Sequence, residues 1–298
     1  MAREASTQAV RAARVKASEI GLVAAAVGFG NAEFEGDDWR VAPFRLAQDL
    51  GADRACVLGI QQMSNGGAAA LEYSVAKLLT ESRLQHALVV SADAFAGIES
   101  FPMGNGPGRV SVADGAAAAL LTNTPETPLR IRSLTTCGIP GLELMPLGES
   151  AASPTLSTRE FSLTEEIRYF KKIGPDALGA LSQAVNNALE DADVEADDPA
   201  IERVLLPRLT GSGVVEFTLS AMPAPLRTRY RPSPNTGHLG PGDLLAELAD
   251  LCRYPPPAPG LLSVLVSGGF GFSVTCVVVE ATAHAETTRA QPPKGLST

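Results

Sequence analysis

Apolar residues recur along this chain in two spacings, and their alternation predicts the layout of elements. From Ser6 to Lys16, Val10, Ala13 and Val15 are spaced among charged residues at helical intervals, and Ile20 to Val27 (IGLVAAAV) follows as a continuous apolar run of strand length. A loop rich in Gly and acids leads to a predicted short helix at Val41 to Leu50, closed by Gly51, and an apolar strand at Ala55 to Ile60. Gly66 to Thr80 (GGAAALEYSVAKLLT) is apolar on nearly every side, the pattern of a helix enclosed between sheets. Strands follow at His86 to Ala92 and Gly115 to Thr122, with a Gly- and Pro-rich loop carrying Arg109 between them.

Beyond about Pro128 the order repeats, with a strand at Leu129 to Thr136, an irregular insert, a helix at Asp176 to Glu190 and a strand at Ile201 to Leu206. LRTRYRPSPNTG before DLLAELADL mirrors DRACVLGIQQMSNGG before LEYSVAKLL, and LLSVLVSGGFGFSVTCVVVEA mirrors the two strands closing the first half. The reading is an α/β protein of two pseudo-repeated halves, 1–128 and 129–283, layered αβαβα with buried helices between two sheets. The tail 284–298 lacks apolar periodicity and is read as disordered.

Composition narrows the function classes. Over 298 residues, hydrophobic side chains make up 45% but aromatics only 5%, so the core is built from Ala, Val and Leu. The net charge of −9 leaves no basic stripe for nucleic acid. No segment approaches the roughly 20 apolar residues of a membrane span, and charges stand where a signal peptide has its apolar stretch, so a cytoplasmic protein without membrane contact is expected. Cys56, Cys137, Cys252 and Cys276 show no metal-clip spacing; Cys56 and Cys276 fall in apolar runs and read as small buried hydrophobes. No metal or resident cofactor is expected.

The segments QQMSNGGAAALE, HALVVSAD, VADGAAAALL, NTGHLGPGD and SGGFGF, in this order, resemble the thiolase superfamily, specifically ketoacyl synthase III and its acyltransferase relatives in natural-product pathways. The resemblance covers most of Met1 to Ala281. It implies a homodimer, formed through the first-half sheet edge and the loop around Asn31 to Trp39, and an acyl thioester donor on CoA or on acyl-carrier-protein phosphopantetheine. It also implies a nucleophile at the start of the first-half buried helix, where this chain has Ser64 instead of the family's Cys. A serine before a helix is ordinarily an N-cap. As a nucleophile it needs a base, because its hydroxyl pKa lies far above that of a thiol and a helix dipole alone does not ionise it.

Two further departures bear on mechanism. The second-half strand end that in the family carries a His reads LLPRLTG, which puts Arg208 there, and Arg cannot act as a base. The family also has a strand, an insert and part of a helix before the region matched from Met1. Either the start lies elsewhere, or the first-half sheet lacks its central strand. Asn235 falls on the family's active-site Asn and is the repeat counterpart of Ser64. His238 follows within a helical turn, as base or as a structural hydrogen-bond partner at a helix start. Gly268 and Gly269 resemble the turn that completes an oxyanion hole with the Ser64 N–H, and are otherwise a tight hairpin. Arg208 and Arg109 are the expected contacts to an anionic donor.

Condensation requires an enolate stabilised by paired His and Asn, of which the Asn alone is retained, so simple acyl transfer through a Ser64 acyl-enzyme is the expected reaction. The rivals are a silent partner subunit resembling chain-length factors and a weak ketoacyl synthase III condensing enzyme.

Overall fold

Two four-stranded sheets face each other across a pair of buried helices. The structure, a computed structural model, describes residues 1–26, 42–95, 100–101, 110–139, 163–209, 212–234, 236–253, 256–269 and 273–283. Arg109, Asn235, the 31–39 loop and the 284–298 tail lie outside the described residues.

The first half contains α1 (Ala2–Ala13), β1 (Leu22–Ala26), α2 (Ala42–Leu50), β2 (Cys56–Ile60), α3 (Gly66–Thr80), β3 (His86–Asp93), the short ribbon β4 (Ser100–Phe101) and β5 (Val110–Ser111), and β6 (Gly115–Thr122). The second contains β7 (Leu129–Gly138), α4 (Leu163–Asp191), β8 (Ile201–Leu205), α5 (Ser212–Ser220), α6 (Ala224–Arg227), α7 (Asp243–Arg253), β9 (Leu262–Gly269) and β10 (Ser273–Ala281). The sheets run β2-β1-β3-β6 and β7-β10-β9-β8.

The internal repeat appears in the strand directions. β1 and β3 are parallel and β6 is antiparallel to β3, just as β8 and β9 are parallel and β10 is antiparallel to β9. Parallel neighbours need a crossover, and the buried helices supply it. β2 has only a vestige in the second half: Tyr230 makes a single parallel bridge to Val204. Pro232 and Pro234 follow at once and lack the N–H groups that would continue a ladder. β7, conversely, has no counterpart among the described first-half strands. The first sheet is continuous through β1 and β3, so the expected gap at its centre is not seen; the unmatched position is the outer edge of β6.

Three apolar layers follow. The central core joins Ala24, Ala26, Val89 and Ala117 of the first sheet, Ala68, Ala70 and Leu71 of α3, Leu244, Leu245 and Leu248 of α7, and Leu205, Leu265, Val277 and Val279 of the second sheet. Val10 of α1 and Ala47 of α2 pack on the outer face of the first sheet at Val23 and Leu88. Leu181, Ala184, Val185 and Ala188 of α4 cover the outer face of the second at Val264, Cys276 and Val278. This is the αβαβα order.

α4 begins 13 residues before its expected start at Asp176, and Pro175 lies inside it. α5 and α6, between β8 and the NTGHLGPGD segment, carry too weak an apolar periodicity to have been read as helices. Cys276 is buried as expected, but Cys56 is exposed, because it opens β2, an edge strand.

α3 and α7 approach through their first turns. A Cβ on Gly67 would lie 2.1 Å from the Pro241 carbonyl oxygen, which is backbone and cannot swing away. Gly67→Ala is therefore expected to destabilise the protein by about 3 kcal/mol or more. Gly179→Ala, on an exposed face of α4 with nothing within 4 Å, should stabilise it by about 1 kcal/mol. Denaturant unfolding of the two variants checks both signs.

Candidate active site

The turn from β2 into α3 carries Ser64. Residues Met63–Asn65 form a single 3₁₀ turn, and Met63 adopts φ 48°, a left-handed conformation uncommon for a non-glycine residue. Asn65 fixes this turn to the second half: its Nδ2 donates to Ser273 Oγ at 2.8 Å and to Thr275 Oγ1 at 3.0 Å, while Gln62 Nε2 donates to Ser273 Oγ at 2.9 Å. Ser64 is thus held between the sheets rather than on a free loop, and it is buried.

His238 comes from the other half but is anchored by the first. Its backbone N–H donates to Ser111 O at 2.8 Å, and its carbonyl accepts from Ala113 N at 2.9 Å. This places the imidazole between Ser64 and Asp243, with Ser64 Oγ 2.8 Å from Nε2 and Asp243 Oδ2 2.6 Å from Nδ1. The carboxylate only accepts, so Nδ1 carries the proton and Nε2 presents a lone pair to the Ser64 hydroxyl. Ser64, His238 and Asp243 form a hydroxyl–imidazole–carboxylate relay.

Asp243 was not singled out by its sequence context, and it is the member that gives His238 a direction. It is buried at the first residue of α7, where the unpaired N–H groups of the helix favour negative charge. Its Oδ1 accepts from Leu239 N–H at 2.8 Å, and its Oδ2 accepts from Arg208 N–H at 2.8 Å. The available signal was the five-residue separation of His238 and Asp243 across HLGPGD, but their facing geometry depends on the intervening Gly240–Gly242 turn.

Gly269, at the end of β9, presses on the nucleophile. A Cβ there would lie 2.8 Å from Ser64 Cβ and 3.1 Å from Ser64 Oγ. Gly268 lies one residue back, in contact with Val274 instead.

Arg208 is placed differently from its expected role toward an anionic donor. Its side chain is buried, and all three guanidinium nitrogens point at protein: Nε donates to Glu247 at 2.9 Å, Nη2 to Asp250 at 2.5 Å and Nη1 to Thr236 Oγ1 at 3.0 Å. The cause is the row of carboxylates at Asp243, Glu247 and Asp250, which α7 carries on one face. A cleft of about 280 Å³ opens beside Arg208 between residues 207–209 and 230–234; none of the triad lines it. Burial pushes Cys252 up to about 11 and Cys276 up to about 12, so neither supplies a thiolate near neutral pH. Among the described residues there is no His, Cys, Asp and Glu cluster able to hold a metal. Nor, among the described residues, is any helix long and apolar enough to cross a membrane.

The chain has a thiolase-type fold, in the form found in ketoacyl synthase III enzymes and related acyltransferases. Among solved structures it is similar to ChlB3, an acyltransferase, with a TM-score of 0.79 and 24% identity over 95% of this chain and 84% of that one. It is also similar to AbyA1, a tetronic acid condensing enzyme (0.69, 19% identity, 94% and 85% covered). A third is the 3-oxoacyl-[acyl-carrier-protein] synthase III of Aquifex aeolicus (0.68, 14% identity, 94% and 83% covered). No family model and no curated protein sequence matches the chain.

Glu247 offers a test of the electrostatics. Burial pushes its carboxyl up to about 7, reinforced by Asp250 and Asp243 and opposed by Arg208 and a hydrogen bond from Ser233. With the folded value raised above 4.5, the neutral form contributes stability that is fully present below about pH 4.5 and lost as pH rises through about 7. Glu247→Gln, a permanently neutral isostere, should therefore gain melting temperature relative to the wild type between pH 5 and pH 8. A relative loss over that range would mean that pairing with Arg208 outweighs burial.

Proposed function

We propose that this chain is an acyltransferase that takes an acyl group from a CoA or acyl-carrier-protein thioester onto Ser64 and passes it to an acceptor nucleophile in natural-product biosynthesis. The observation that carries this reading is the alignment of Ser64 Oγ, His238 and Asp243 at 2.8 and 2.6 Å. It meets the requirement that a serine nucleophile have a base, and that the base be held in one tautomer.

Ser64 Oγ attacks the thioester carbonyl carbon while His238 Nε2 takes its proton, and Asp243 stabilises the imidazolium that forms. The tetrahedral oxyanion is assigned to the N–H groups of Ser64 and Gly269, whose close approach to the nucleophile supports that role. The C–S bond breaks, and His238 returns its proton to the departing thiolate. In the second half-reaction His238 deprotonates the acceptor, which attacks the Ser64 ester and regenerates the hydroxyl. Asn235 is assigned to orienting the donor carbonyl and Arg109 to its anionic groups. The homodimer and the acyl carrier protein belong to the same proposal.

The names of the similar structures, one acyltransferase and one condensing enzyme, agree with acyl chemistry on this fold. Transfer is favoured over condensation because the one imidazole at Ser64 is engaged as its base, and Arg208 at the strand end cannot assist an enolate with a neutral donor and return a proton. A silent subunit gives no reason for a buried His held between a hydroxyl and a carboxylate.

Intact-protein mass spectrometry after exposure to a panel of acyl thioesters tests the reading. The wild type should gain one acyl mass, mapping to Ser64, and Ser64→Ala should gain none. His238→Ala should acylate about 10²- to 10⁴-fold more slowly, and Asp243→Asn about 10⁴-fold more slowly through the wrong imidazole tautomer. Acylation at another residue, or of no residue by any donor, would overturn the proposal.

Gly269→Ala provides a separate check, since its methyl would crowd Ser64 Cβ from the side of the assigned oxyanion site. It should slow acylation by about 10²-fold or more, in the range of a lost oxyanion donor. Gly268→Ala, whose methyl would meet Val274 and the Ser273 carbonyl, should have a smaller effect on the rate.

A further inference from the structure

Arg208 stands outside the relay, yet it touches every element that carries the second-half members of it. Its backbone N–H donates to Asp243 Oδ2, the same oxygen that faces His238. Its side chain then runs along α7, reaching Glu247 one turn on and Asp250 two turns on. Its remaining guanidinium nitrogen donates to Thr236, two residues before His238.

We infer that Arg208 is a positioning residue for the His238–Asp243 pair, a clamp that ties the end of β8 to α7 and to the loop carrying the imidazole. The inference rests on the acyltransfer reading for its kinetic consequence but not for its structural one. The physical grounds are two. Asp243, Glu247 and Asp250 line one face of α7 and repel one another, so without a cation among them the first turns of that helix have a reason to shift or to take up protons. And a guanidinium with its donors fixed in a plane can hold two turns of α7, through Glu247 and Asp250, and the Thr236 loop in one geometry, which a flexible ammonium does less well. Because an error of about 1 Å in a catalytic group can cost about 10²-fold in rate, the clamp has a measurable effect without touching substrate.

The test compares wild type, Arg208→Lys, Arg208→Met and the double variant Arg208→Met/Glu247→Gln. Arg208→Met alone leaves a buried carboxylate unpaired and risks unfolding, whereas the double variant removes both buried partners of that pair. Two readouts are taken. The first is the rate at which a fluorophosphonate probe labels Ser64, a reaction in which the Oγ–P bond forms and fluoride leaves, with no acyl donor required. The second is the low-field proton resonance of His238 Nδ1–H, assignable because the chain has three histidines and this one faces a carboxylate at 2.6 Å.

The double variant should label about 10²-fold more slowly and show a broadened or displaced His238 resonance, while its melting temperature stays near that of the wild type. Arg208→Lys should fall between the two in both readouts. A double variant with wild-type labelling and an unchanged resonance overturns the clamp. A wild type that the probe does not label overturns the nucleophile reading instead, and the resonance then decides the clamp alone: unchanged in the double variant, it is overturned; lost, it is supported.

Discussion

The contact on which this structure depends is between two helix starts. α3 and α7 meet between the sheets with Gly67 directly on the Pro241 carbonyl, closer than any side chain would permit. Ser64 precedes α3 by two residues, while His238 and Asp243 flank the turn that opens α7. Bringing the two helix starts together therefore brings the hydroxyl to the imidazole. Neither half could build the relay alone. Even the His238 backbone is held by Ser111 and Ala113 of the opposite half.

Electrostatics then decides what the contact can do. A helix N-terminus favours negative charge but leaves a serine protonated; the structure supplies the missing base by placing an imidazole 2.8 Å away and a buried carboxylate behind it. Holding that carboxylate ionised in the interior takes donors, which Leu239 and Arg208 provide through their backbones. Burial raises Glu247, one turn further along α7, toward neutrality.

Several elements were legible because their signal is local. Gly66–Thr80, His86–Asp93 and Gly115–Thr122 lie within a residue of where apolar pattern and glycine punctuation put them, and the three strands that the halves share, β1, β3 and β6 against β8, β9 and β10, match in direction. Elements whose cause is not local were missed. α5 and α6 have no amphipathic stripe strong enough to be read, and α4 extends through a proline that ordinarily marks a boundary. Cys56 has the sequence surroundings of a buried strand, but position at the edge of a sheet, which no pattern in the strand itself records, leaves it exposed.

By itself the sequence determined the layered α/β class, the two-fold repetition and the identity of Ser64 and His238 as residues worth pairing, since each of these follows from periodicity or from motifs read in order. The tertiary structure alone decided that they touch, that Asp243 completes them, and that Arg208 serves the protein's own carboxylates. The physical reason is distance along the chain: Ser64 and His238 lie 174 residues apart, and Arg208 and Asp243 lie 35 apart. Pairing at such separations is set by how sheets and helices stack, whereas residue spacing constrains only the few turns within which side chains meet.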